Sequence, residues 1–204
     1  KLKLSPDRMK SVLIHGAAAL STPGFMPRYL KQREFPAYSY VNGRFPHPDR
    51  DPLGHSHGVE QEDVAPPKAD NWHSCESYLW GVDLFNAGFY WEAHEAWEQV
   101  WIGAGRKGTI ADFLKALIKL AAAGVKAREN RSAGVERHAR RCAELLSSPG
   151  IADETELFGL HLPTLLEAAQ LVADEAERFT TCSVADNQNH TLPFDLVLRF
   201  PYQA

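Results

Sequence analysis

The stretch Phe85-Asn86-Ala87-Gly88-Phe89-Tyr90-Trp91-Glu92-Ala93-His94-Glu95-Ala96-Trp97-Glu98-Gln99-Val100-Trp101 decides how this chain folds. It holds six aromatic rings, three glutamates and one histidine in seventeen residues. At about 100° per residue, Tyr90, Ala93, Ala96, Trp97, Val100 and Trp101 gather on one broad apolar face. An amphipathic helix from about Phe89 to Ile102 is therefore expected. The preceding segment repeats Trp72, Cys75, Leu79, Val82 and Phe85 or Asn86 at intervals of three and four, which predicts a second helix capped by Asp70 or Asn71. Gly88, able to take the left-handed conformation, separates the two. So short a connection makes them an antiparallel hairpin.

Downstream, the pattern stays helical. Ile110, Phe113, Leu114, Leu117, Ile118, Ala121 and Val125 form a wide stripe after Thr109, with Asp112 as an approximate capping box. Val135, Ala139, Cys142 and Leu145 or Leu146 mark a helix over 132–147. A short turn over 153–160 leads to a fifth helix, with Thr164 and Glu167 as its capping box after Pro163, running to about Thr180. Amphipathic helices joined by short loops predict an all-α antiparallel bundle of about five helices.

The flanks differ. Residues 5–20 suit a short helix opened by Ser5-Pro6. Lys1, Lys3, Arg8 and Lys10 before an apolar run share the order of a signal peptide, but His15 and Gly16 interrupt the run. From Pro23 to Pro67 the chain carries eight of its thirteen prolines. Phe25, Tyr29, Leu30, Phe35, Tyr38, Tyr40 and Phe45 make this segment too apolar for a solvated linker, so an extended arm wrapped over the bundle is expected. Phe194, Leu196, Leu198 and Phe200 alternate in a tail that either pairs as a strand or lies extended on the bundle. The expected organisation is an N-terminal helix and arm over 1–69, a bundle domain over 70–182 and an extended tail over 183–204.

Composition narrows the function classes. With 204 residues, 44% of them hydrophobic and 24% charged, the chain suits one globular domain. A net charge of −4 argues against general nucleic-acid binding. No apolar run approaches the roughly 18 residues of a membrane span. Cys75, Cys142 and Cys182 are odd in number and form no C-x-x-C pair, which points to a reducing, cytoplasmic setting rather than a disulfide framework or zinc ribbon.

The polar side of the central helix carries the candidate chemistry. His94 and Glu98, one turn apart, can share a divalent metal ion such as zinc, manganese or iron, or act as an acid–base pair. Glu95 lies within a turn of both as a further ligand. One helix supplies at most two or three ligands, so His55 and His57 in the arm, or His73, would complete the set, with Glu76 more remote. The pattern is not H-E-x-x-H, because Glu98 stands where that motif needs its second histidine. Glu92 and Glu95 are the candidate general bases. The structural alternative is a histidine bonded to a neighbour at the edge of a tryptophan-rich interface, beside glutamates of an exposed helix face.

A second charged group, Lys126, Arg128, Arg131, Arg137, Arg140 and Arg141 with His138 among them, could contact phosphate or an acidic partner. It reads more simply as a solvated helix end and face. Lys115 and Lys119 read likewise as a solvated ridge. All five tryptophans fall between Trp72 and Trp101 and serve chiefly as packing residues of the hairpin.

The segment Leu84–Glu98 resembles a family of bacterial and archaeal proteins, domain of unknown function family 309, whose members carry F-N-x-G-x-Y-W-E-A-H-E-x-W-E. A second block of that family, L-I-Q-L-A-A-A-x-x-K followed by a G-A pair, is similar to Leu117–Lys126. Here Lys119 replaces the usual Gln, and Ala133-Gly134 reverses the pair. The resemblance spans about 76–146 and implies a small all-helical fold without an established activity, substrate or cofactor. Its pattern holds Glu92, His94, Glu95 and Glu98 together, which helix-making alone does not require. The proline-rich arm resembles leader segments of some members.

Two functions remain in view. One is a divalent-metal or small-ligand site on the Trp/Glu/His helix, extending to metal-dependent hydrolysis. The other is a non-catalytic interaction or structural module, a homo-oligomer or partner binder using the tryptophan hairpin.

Overall fold

The computed structural model describes residues 27–60, 64–181 and 196–200. The helix expected over 5–20, the charged start before it, Phe25, Cys182 and the tail positions 192–195 lie outside them. Six helices and one small hairpin are described: α1 (Glu76–Asn86), α2 (Tyr90–Gly103), α3 (Thr109–Arg128), α4 (Ser132–Leu146), β1 (Glu156–Leu157), β2 (Leu160–His161), α5 (Leu162–Asp174) and α6 (Ala176–Thr181). The chain is an all-α bundle in which each of the first five helices packs on the next, while α6 closes against α3 and α4. No helix among the described residues is long and apolar enough to cross a membrane.

α3 is the centre of the bundle. Phe113, Leu114, Leu117, Leu120 and Ala121 are fully buried between α2 and α4. Burying each large side chain of this kind stabilises the fold by about 1.5–3 kcal/mol, so this stripe fixes the order of layers. Two glycines bring neighbouring helices close. A Cβ at Gly124 would lie 2.5 Å from the Tyr90 ring, and one at Gly81 would lie 2.2 Å from Trp97 Nε1. Trp97 can therefore cross α1 and donate to the Tyr78 carbonyl at 3.2 Å.

The helix ends explain the tight connections. After α1, Phe89 N–H bonds to Leu84 O and Gly88 N–H to Phe85 O, with Gly88 at φ +81°. The same crossed pair closes α2 at Gly105 and α3 at Asn130, whose φ is +56°. Each is the Schellman arrangement, which needs a left-handed residue just past the helix.

Several helix starts differ from expectation. Asp70 and Asn71 do not cap α1, because Trp72–Ser74 forms a 3-10 turn and the helix begins at Glu76. Asp112 makes no cap bond with its side chain; its N–H instead closes the first turn on Gly108 O. α5 begins at Leu162, two residues before the expected box, since His161 accepts from Thr164 N–H and Pro163 suits the first turn. The expected fifth helix is two. Glu175 leaves helical geometry and starts α6 by accepting Arg178 N–H at 2.9 Å. Over 153–160 stands the β1–β2 hairpin, its turn residues Phe158 and Gly159 both at positive φ, as a two-residue hairpin turn requires.

The described part of the arm lies on the bundle. Phe35 stacks on Trp80 and Phe89 with ring centroids 5.5 and 5.1 Å apart. The tail is extended over 196–200 rather than paired as a strand. Leu196 and Leu198 are buried, and Phe200 sits 4.4 Å from the rings of both Tyr29 and Trp72.

Candidate functional site

The hairpin α1–α2 carries three buried polar side chains, Asp83, Asn86 and Glu92, among its apolar core. Each holds a distant extended segment. Asp83 accepts Tyr29 N–H and Leu30 N–H, both at 2.8 Å, with the Arg28 guanidinium 3.9 Å away. Burial raises the Asp83 carboxyl above the usual carboxylate range, against the two amides and Arg28, which pull it down. Asn86 holds Leu198 by both its amide atoms. Glu92 Oε1 accepts Tyr40 N–H at 2.9 Å and faces His55 Nε2 at 3.1 Å, while Oε2 has no hydrogen-bond partner among the described residues. It stands in the first turn of α2.

The other polar edge of α2 is open. His94, Glu95 and Glu98, all half-buried, each present a possible ligand atom, and the three atoms lie within 4.8 Å of one another. His94 Nδ1 is 3.2 Å from Glu95 Oε1, and its ring stacks along Trp91 at 5.9 Å. Trp91 is covered from the arm side by Tyr40 and His47, with centroids 5.0 and 5.5 Å away. Ring stacking and the Glu95 contact at Nδ1 orient the imidazole, and Nε2 has no hydrogen-bond partner among the described residues.

The arm histidines do not join this group. Residues 51–58 form successive turns, so the alternation that would point His55 and His57 to one side does not operate. His55 turns inward to Glu92 and to Ser56 Oγ, while exposed His57 bonds the Asp49 carbonyl at 2.9 Å. His73 lies exposed in the 3-10 turn against Trp72. Among the tryptophans, Trp80 and Trp97 are buried within the chain.

Sequence reasoning left two groups unplaced. Asn86 sat on the apolar stripe of α1 and Asp83 beside it, and a polar residue there is a local sign that some partner is buried with it. His138, read as part of a solvated face, instead stands half-buried on α4 within the electrostatic reach of His94 and Lys119. Burial first, then Lys119, Arg137, Lys126 and His94, push its pKa down to about 4, so the ring is neutral near pH 7.

A bundle hairpin with a histidine–carboxylate edge and buried polar pins for outlying segments defines the class of protein seen here. Residues 78–138, from the first turn of α1 to His138, match the model of the family described as "Domain of unknown function (DUF309)". Over that segment the chain is similar to this family. No curated protein and no solved structure matches the chain.

Proposed function

We propose that this protein binds a divalent transition-metal ion at His94 and Glu98 of α2 and hydrolyses a small ligand there. The observation that carries the reading is the convergence of His94, Glu95 and Glu98 within 4.8 Å. An imidazole with carboxylates is a donor set that suits zinc, manganese or iron. Such an ion supplies Lewis acidity and lowers the pKa of bound water. Glu95, bonded to His94 Nδ1, keeps the ring oriented with Nε2 outward, the role that carboxylates play behind ligating histidines. In this reading Glu95 is also the general base, taking the proton on its other oxygen. Glu92 is less suited to that task, because its Oε1 already holds Tyr40 and His55 under the arm.

The interaction-module reading has less support. Trp80 and Trp97 are buried within the chain, and Trp91 lies under Tyr40 and His47. Metal analysis of tag-free protein tests the proposal. A stoichiometric transition metal that is lost in His94→Ala and in Glu98→Gln is expected. Metal-free protein whose melting temperature ignores added zinc, manganese and iron would overturn it.

A further inference from the structure

α3 turns one incompletely buried stripe outward between its neighbours. Lys115, Lys119, Ala122 and Lys126 follow one another at i, i+4, i+7 and i+11, each half-buried rather than exposed. The stripe is the floor of a groove walled by α2 and α4, the two helices that pack most extensively on α3. Two contacts fix the levels. Lys115 Nζ lies 5.5 Å from the Trp101 ring centroid, and a Cβ on Gly134 would come 2.8 Å from Lys126 Cγ.

Both neighbours run antiparallel to α3, being joined to it by short loops, and every helix advances about 1.5 Å per residue. Moving from Lys126 to Lys119 on α3 therefore matches moving from Gly134 to Arg141 on α4. Moving from Lys115 to Lys119 likewise matches moving from Trp101 back to Trp97, beside Glu98, on α2. So Lys119 lies on the floor between Glu98 and Arg141. One turn further along, the same levels put Ala122 between His94 and His138, which act on each other electrostatically.

The charge of this groove is uneven. Burial first lowers the Lys119 pKa, then Lys115, Arg141 and Arg137 add to it, with Glu98 the one opposing acid. Among the described residues neither Lys119 nor Arg137 has a carboxylate oxygen within 4.0 Å. Arg141 pairs with Glu144 at 2.8 Å, but both side chains are about half exposed, 50% and 55%, and such surface pairs hold a side chain weakly. A merely solvated helix face would spread its cations outward. Here one of them is half-buried among three others, an arrangement stabilised by an anion.

We propose that this groove binds a phosphate group, free or as the monoester of a small molecule, through Lys119, Arg137 and Arg141, with His138 as a further hydrogen-bond donor. Arginine forks and a lysine point charge together match the several oxygens of a phosphate better than a single carboxylate. The proposal gives the substrate class of the His94–Glu98 centre, and for hydrolysis, though not for binding, it rests on the metal reading above. In that reaction the ester P–O bond breaks, the water oxygen joins phosphorus, and the water proton passes to the leaving alcohol oxygen.

Titration of the full chain with inorganic phosphate, once after chelator treatment and once with added zinc or manganese, tests it. Saturable binding is expected in both states, weakened at least tenfold in Lys119→Met and in Arg141→Gln. Arg140→Gln, which removes a cation paired with Glu136 outside the groove, should leave binding unchanged. If Lys119→Met fails to fold by circular dichroism, exposed Arg141→Gln carries the comparison alone. Absent phosphate binding in both states, or equal loss in Arg140→Gln and Arg141→Gln, overturns the proposal. Metal retained in these variants while phosphate is lost separates this site from the metal centre. Phosphate retained without any metal binding would sink the centre and leave the groove.

Discussion

Asn86 and Leu198 are joined in both directions: Asn86 Nδ2 donates to Leu198 O at 2.8 Å, and Leu198 N–H donates to Asn86 Oδ1 at 2.8 Å. Both residues are buried, 1% and 0% exposed, so no water replaces a lost partner. Asn86→Ala leaves a buried N–H and a buried C=O unpaired, at about 1–3 kcal/mol each. Thermal unfolding should report a melting temperature lower by roughly 2–4 °C for each kcal/mol. Asn86→Asp keeps the size but sets an acceptor against the Leu198 carbonyl, and should do no better than alanine. A substitution to aspartate without thermal cost would refute the two-way bond.

Asp83 does for the arm what Asn86 does for the tail. Its two carboxylate oxygens take Tyr29 N–H and Leu30 N–H separately. Asp83→Ala should free the arm without unfolding the bundle, since local release costs less than global unfolding. Limited proteolysis should then cut near residues 28–34 well before the helices, with far-ultraviolet circular dichroism unchanged. Asp83→Asn, which keeps one acceptor oxygen and avoids burying a charge, should fall between wild type and alanine.

At Gly81 two effects of opposite sign compete. Glycine inside a helix costs about 1 kcal/mol relative to alanine. Yet an alanine Cβ there would stand 2.2 Å from Trp97 Nε1, and Trp97 is fully buried. Overpacking of this kind typically costs 1–3 kcal/mol, so the clash outweighs the gain in helix propensity. Gly81→Ala should lower the melting temperature and shift the tryptophan emission, as the indole loses its bond to Tyr78 O. A stabilised variant would mean that α1 and α2 lie further apart.

What could be read in advance follows from how local each cause is. The apolar stripe of α3 and the Gly88 break repeat within a few residues, so periodicity and turn chemistry expose them. The His94–Glu98 spacing is likewise a property of one helix. His55 and His57 take separate partners because residues 51–58 bend into turns instead of extending, which no local pattern announces. Asn86 offered no local clue to its partner, which is the backbone of a residue 112 positions away. Lys119 and His138 looked like solvated residues because only the levels of α2, α3 and α4 relative to one another bring them into a groove.

His138 ties that groove to pH. In the folded chain its pKa stands at about 4, below the ordinary 6.5, chiefly because burial disfavours the imidazolium and secondarily because Lys119, Arg137, Lys126 and His94 repel it. The unfolded chain therefore takes up a proton between about pH 6.5 and 4 that the folded chain refuses. Stability from this residue is full above about 6.5 and declines as pH falls through that window. His138→Gln, which cannot titrate, should show a shallower fall in melting temperature from pH 7 to pH 4 than wild type. Proton resonances of the imidazole give the direct measurement: in the folded protein the His138 Cε1 proton should keep its neutral shift at pH 5.5, where an exposed histidine is mostly protonated. A midpoint at or above 6.5 would place His138 in solvent and return α4 to the role of an ordinary charged surface helix.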